Sequence, residues 1–274
     1  MDTHENDETR AQVRTAYAKV ARGEDGCSVG CCGTQGSGSL ALGYTGDDLS
    51  SAPEGADLGL GCGNPQAIAN LRPGETVLDL GSGAGFDCFL AAKRVGRAGR
   101  VIGVDMTPEM VTKARDNARR VAATNVDFRL GEIEHLPVGD ESVDAILSNC
   151  VINLSPDKAA VFHEAFRVLK PGGRLAISDV IATKPMPPVL AKSLEAYTGC
   201  VAGAASAASL HGLLVAAGFE EITIRVREGS GAIMERCMPG SADYVASATL
   251  EARKPGGERS CCGPSCCEPK DSVA

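Results

Sequence analysis

The apolar residues of this chain switch repeatedly between two spacings. A short apolar run, Thr76–Leu80 (TVLDL), stops at Gly81-Ser82-Gly83-Ala84-Gly85, and the FDCFLAAKRVG that follows places its apolar residues at helical intervals. The same switch recurs. Arg100–Asp105 (RVIGVD) reads as a second strand ending on an acid, and PEMVTKARDNARRVAA as a helix with Pro108 near its first turn, where the missing N–H costs nothing. VDFRLG at 126–131 predicts a third strand, VDAILSNCVI from Val143 a fourth and RLAISDV from Arg174 a fifth. Between the last two lies DKAAVFHEAFRVLKPGG, an amphipathic helix stopped by Pro171 and two glycines. Strands alternating with helices predict an α/β fold built on a parallel, doubly wound sheet. Pro185, Pro187 and Pro188 mark the exit from the fifth strand, after which ASLHGLLVAAGF reads as a helix, EITIRVR as a strand and DYVASATLEARKP as the closing strand. There is no internal repeat.

Composition narrows the class of partner. A formal net charge of −8 and 4% aromatic residues with no Trp leave neither the clustered cations nor the stacking platforms of nucleic-acid binding. The opening MDTHENDETR is charged and polar, unlike a secretory signal, and no apolar run approaches the roughly 18 residues of a membrane span. A cytoplasmic protein acting on a small molecule is therefore expected. Twelve cysteines are many for such a protein, because cytosolic thiols stay reduced and seldom form structural disulfides. Chemistry is the better reason for them. They fall at Cys27, Cys31 and Cys32, then singly at Cys62, Cys88, Cys150, Cys200 and Cys237, then at Cys261, Cys262, Cys266 and Cys267. The four histidines show no ligand spacing, so no zinc site is implied.

A glycine-rich turn between strand and helix opens a Rossmann-type unit, but nicotinamide, flavin and methyl-donor enzymes share it. Here the spacing is G-x-G-x-G, and Phe86 stands where a dinucleotide fingerprint wants its third Gly or Ala. That departure disfavours a pyrophosphate. Asp105 follows Gly81 by 24 residues at the end of the second strand, where a carboxylate accepts hydrogen bonds from ribose hydroxyls.

VLDLGSGAGFDCFLAAKRVG, VIGVDMTPEM, GEIEHLPVGDESVDAILSNCVINLSPDK and EAFRVLKPGGRLAISDV resemble the motifs of class I methyltransferases, and more narrowly those of prokaryotic arsenite S-adenosylmethionine methyltransferases. The similarity spans roughly residues 55–250, with SNCVINLSPDK its most specific piece. The resemblance implies a Rossmann-like core at 71–185 that binds S-adenosylmethionine. Around it come an N-terminal extension at 1–70 carrying a thiol cluster, a small substrate-covering region with the closing strands at 186–254, and a flexible Cys-rich tail at 255–274. It assigns Asp79 and the loop Gly81, Ser82, Gly83 and Gly85 to the methionine moiety, Asp105 to ribose and Met106 to adenine. Glu132 and the backbone of Ile133 fall at the adenine edge, and Asn149 under the cofactor.

The resemblance also places the arsenic-binding thiols at Cys62 in GLGCGNP, at Cys150, and at Cys200 in GCVAGA. Trivalent arsenic is soft, prefers thiolates to oxygen or imidazole, and with three sulfurs keeps a lone pair as nucleophile. The resemblance further implies a redox-active cysteine within CSVGCCG, here Cys32 because it precedes Gly33 in a CCG pattern similar to that of prokaryotic relatives; Cys27 and Cys31 remain open. Cys88 and Cys237 are expected to be structural. Implied partners are arsenite or its thiol complexes, and thioredoxin or glutathione as reductant. Two rivals share part of this pattern: a quinone- or lipid-type methyltransferase, which has no use for three thiols, and a metalloid-binding protein, which has no use for the methyl-donor motifs. CCGPSCC at 261–267 suits capture of a thiophilic ion on a flexible tether. Truncation after Lys254 is expected to leave methylation intact at saturating arsenite and to slow only its capture when scarce, as arsenic speciation at both concentrations would reveal.

Overall fold

The computed structural model describes residues 3–24 and 37–256. Among the described residues, four helices precede the sheet: α1 (Thr3–Arg22), α2 (Ser37–Ala41), α3 (Gly46–Ser51) and α4 (Gln66–Ala69). Then β1 (Thr76–Leu80), α5 (Phe86–Val95), β2 (Arg100–Asp105), α6 (Pro108–Arg120), β3 (Val126–Leu130) and β4 (Val143–Asn149) alternate. α7 (Lys158–Val168) leads into β5 (Leu169–Ala182), and α8 (Pro188–Ala191), α9 (Leu194–Thr198) and α10 (Ala207–Ala217) cross to β6 (Glu220–Val226). α11 (Ser230–Cys237) and β7 (Val245–Arg253) close the described chain. Among the described residues no helix is long and apolar enough to cross a membrane.

The strands form one sheet in the order β3-β2-β1-β4-β5-β7-β6. β1 to β5 are parallel, as the alternation of strands and helices demands, whereas β7 runs antiparallel between β5 and β6. The sheet is thus doubly wound but mixed. β7 returns from β6 through the short α11 rather than through a full crossover helix, and a short return favours an antiparallel neighbour.

Successive residues of each inner strand serve opposite faces. Leu78, Leu80, Ile102 and Val104 join Phe162 and Leu214 of α7 and α10 in one core layer, while Val77 and Val101 pack with Phe89 of α5 and Val111 of α6 in the other. Each such buried side chain contributes up to about 1.5–3 kcal/mol. Helix starts obey local chemistry: the Asp157 carboxylate accepts the Ala160 N–H at 3.0 Å, and Ser206 accepts the Ser209 N–H at 3.1 Å. β4 ends earlier than its apolar run. Cys150 takes φ +60°, which turns the chain out of the strand and into a 3-10 turn at Ile152–Leu154.

Candidate active site

The carboxyl ends of the parallel strands open on a cleft. Its floor includes Asp79, Gly81, Ser82 and Gly83 from the β1 turn, Asp105 and Met106 from the end of β2, and Asn149 and Cys150 from the end of β4. Gly81 has φ +68°, and a Cβ there would sit 2.4 Å from a Val151 methyl, so no other residue fits without displacement. The Asp105 carboxylate accepts the Gly83 N–H at 2.9 Å on one oxygen and the Thr107 N–H at 2.8 Å on the other. Each oxygen keeps a lone pair for a ligand hydroxyl. Burial pushes Asp105 above the usual carboxylate range; burial and then the neighbouring Asp87 push Asp79 well above it. Neither makes an ion pair among the described residues. A ligand carrying both an ammonium and a sulfonium supplies the missing positive charge, so these residues fit S-adenosylmethionine.

Two residues assigned to the cofactor by motif do not line the cleft. A Cβ on Gly85 would meet the Phe128 and Phe89 rings at 2.7 and 2.8 Å, so the glycine lets helix and strand pack closely. Glu132 bridges backbone to His135, and this tight turn presents Ile133 and Glu134 to the cleft instead. Glu134 is buried and accepts from Arg10 Nε at 3.2 Å and from the Ser155 hydroxyl at 2.6 Å.

Asn149 joins the two halves of the site. Its carbonyl oxygen accepts the Cys62 N–H at 3.1 Å, while its amide donates to the Tyr44 hydroxyl and the Gly63 carbonyl at 3.0 Å and to Asp87 at 3.2 Å. The Tyr44 hydroxyl donates in turn to Asp87 at 2.8 Å. This buried network pins the loop carrying Cys62 to the end of β4.

Cys62, Cys150 and Cys200 converge from three distant segments. All three are free and buried, and their thiols interact through Cys150. The Cys200 thiol also donates to the Cys150 carbonyl at 2.9 Å. Cys150 lines the cleft, and Cys62 and Cys200 do not. Both Cys150 and Cys200 hold positive φ, +60° and +63°, a backbone strain that non-glycine residues sustain where a site requires it. Burial raises Cys62 to about 11. Cys150 is also well above the ordinary thiol range: its bond with Cys200 pulls it down, but its bond with Cys62 and burial outweigh that. Cys200 is raised as well, so all three thiols are neutral near pH 7. Cys88 is buried and donates to Asp79 at 3.3 Å. Cys237 is half-buried against the same apolar cluster that holds the three thiols. Cys27, Cys31, Cys32 and the four tail cysteines lie outside the described residues.

Sequence patterning missed the wall contributed by α1. Arg10, Val13 and Tyr17 line the cleft, Tyr17 donates to the Thr198 carbonyl at 3.2 Å, and α1 thereby ties the cofactor side to the segment before Cys200. Their i, i+3, i+7 spacing was the available signal. Tyr44, Asp87, Asn153 and Asp179 were also missed, since nothing local marks a contact across many tens of residues.

Comparison with known proteins identifies the family. Residues 71–218 match the family described as a methyltransferase domain. An arsenite methyltransferase of Halobacterium salinarum is 54% identical over 91% of this chain and 67% of its own length. One from Mus musculus is 34% identical over 72% of this chain and 54% of its own. The crystal structure of an arsenic(III) S-adenosylmethionine methyltransferase from Chlamydomonas reinhardtii superposes with a TM-score of 0.59 at 32% identity, covering 81% of this chain and 74% of that one. The chain thus spans about two thirds of the haloarchaeal relative and about half of the murine one. With these relatives and a methyl-donor cleft walled by one of three converging thiols, the chain belongs to the arsenite methyltransferase family.

Proposed function

We propose that this chain methylates trivalent arsenic bound to Cys62, Cys150 and Cys200, as a cytoplasmic defence against arsenite. The observation that carries the reading is the position of Cys150, which belongs at once to the thiol cluster and to the wall of the methyl-donor cleft. A quinone or lipid methyltransferase needs no such junction, and a storage protein needs no cleft.

Arsenic arrives as the hydroxide or as a glutathione complex. Each new arsenic–sulfur bond expels one hydroxide or thiolate, which leaves with the proton of the incoming cysteine, so neutral buried thiols load without an external base. Three sulfurs leave arsenic with its lone pair, the nucleophile. S-adenosylmethionine supplies an electrophilic methyl carbon on a positively charged sulfur. Asp79 and Asp105 bind it, the Gly81–Gly83 turn approaches its methionine end, and Leu60, Val151 and Leu154 line the cleft with apolar surface that limits water. Orientation and desolvation are the protein's contribution. The pentavalent product takes two electrons from two protein thiols, leaving a disulfide for thioredoxin or glutathione to reopen. Cys32 is the candidate additional thiol.

Incubation with arsenite, labelled S-adenosylmethionine and a thiol, followed by arsenic speciation, tests the activity; absence of methylarsenic sinks it. Asp105→Ala should weaken cofactor binding by about 1.5–3 kcal/mol, roughly ten- to a hundredfold, through loss of hydrogen bonds to a charged acceptor. Arsenite binding should persist. Unchanged cofactor affinity in calorimetry would remove Asp105 from the ribose.

A further inference from the structure

Asp179, within β5, has no part in the chemistry above. It is 2% exposed, and one of its oxygens lies with the Cys62 and Cys150 sulfurs in a cluster whose ligand atoms are all within 4.8 Å of one another. Its carboxylate is strongly oriented. Oδ1 accepts from Asn153 Nδ2 at 2.9 Å and from the Val180 N–H at 2.7 Å, while Oδ2 accepts from the Ile152 N–H at 2.9 Å. Those three bonds occupy three of roughly four acceptor positions and leave one on Oδ2.

Three sulfurs satisfy arsenic, which has no use for a carboxylate oxygen. Zinc differs: it takes thiolate sulfur and carboxylate oxygen together in a tetrahedron. We propose that Cys62, Cys150 and Asp179 form a binding site for a thiophilic divalent cation, zinc or cadmium, that excludes arsenite from the same thiols. Two thiolates and one carboxylate carry three negative charges, the cation returns two, and the ammonium of Lys158, which acts electrostatically on both Asp179 and Cys200, supplies the third. Metal binding releases the two thiol protons to solvent. Because Cys150 lines the cleft, the cation enters by the route arsenite uses.

The site rests on the side-chain cluster itself, while the exclusion of arsenite rests on the function proposed above, and the tests separate the two. Zinc is titrated into the reduced, full-length protein against a chromophoric chelator, in the wild type and in Asp179→Asn. The affinity of one tight zinc site should fall about tenfold or more, at least the loss seen when a mere outer-sphere partner of a metal ligand is removed. Arsenite binding should fall by less. Equal zinc affinity in the two proteins would overturn the proposal. Since the asparagine amide would face three donors, a second measurement avoids that variant: cadmium NMR of the wild type and of Cys62→Ser. The resonance lost on substitution should lie in the mixed sulfur–oxygen range; one in the all-sulfur range would overturn the carboxylate's role. A chain that binds zinc here yet makes no methylarsenic would uphold the site while refuting the arsenic chemistry.

Discussion

Cys150→Ser should abolish methylarsenic production while leaving S-adenosylmethionine affinity essentially unchanged. Serine keeps the shape of the side chain, but its oxygen is hard and stays protonated, so arsenic loses one of three ligands. Cys150 is the thiol that both faces the cleft and contacts each of the other two, so the remaining sulfurs cannot hold arsenic against the methyl donor. A loss of about 3 kcal/mol or more in transition-state stabilisation amounts to at least roughly a hundredfold in rate. The cofactor half should survive, because Asp79, Asp105 and the Gly81 turn are held by their own contacts and none depends on the Cys150 sulfur. Calorimetry with S-adenosylmethionine and speciation of arsenic, run on the same preparation, check both halves. Near wild-type methylarsenic from this variant would expel Cys150 from the arsenic site. Cys200→Ser should behave alike for the same reason.

The parts of this molecule that the sequence announces are those whose physics is local. β1 and β4 are buried on both faces and read as continuous apolar runs; the Gly81 turn reads as glycine because a methyl would strike Val151. Asp105 is legible from its place at a strand end. α1 was opaque because charged residues dominate it and its apolar face is narrow, with Val13, Ala18 and Ala21 buried. That Glu134 lines the cleft and Glu132 does not turns on a tight local bridge that no spacing rule specifies. The link from Cys62 through Asn149 to Tyr44 and Asp87 joins residues up to 105 positions apart, and only the folded sheet brings them together. Resemblance pointed to the three thiols. It said nothing of what holds them: the hydrogen bonds of Asn153 and Asp179, or the strained backbone at Cys150 and Cys200.

Gly203→Ala should separate the two halves of the site without touching a cysteine. A Cβ on Gly203 would lie 2.1 Å from the Asn153 carbonyl oxygen and 3.3 Å from the Tyr197 ring. The ring can shift, but the backbone oxygen cannot. Asn153 is 1% exposed and anchored by its amide to Asp179 at 2.9 Å, to the Val180 carbonyl, and to the Cys200 carbonyl at 3.4 Å. The turn carrying Gly203 must therefore yield. It is short and internally bonded, with Val201 and Ala202 N–H groups both donating to the Ala196 carbonyl at 2.8 Å, so it moves as a unit and carries Cys200 away from Cys150. Overpacking of this kind costs about 1–3 kcal/mol of stability, too little to unfold a core assembled on both faces of the sheet. Gly203 does not line the cleft, so S-adenosylmethionine should bind as before. Arsenite affinity and methylation should both collapse, and the melting temperature should fall modestly. If the variant methylates arsenite at the wild-type rate, the hold of Asn153 on the Cys200 turn is not what assembles the third ligand.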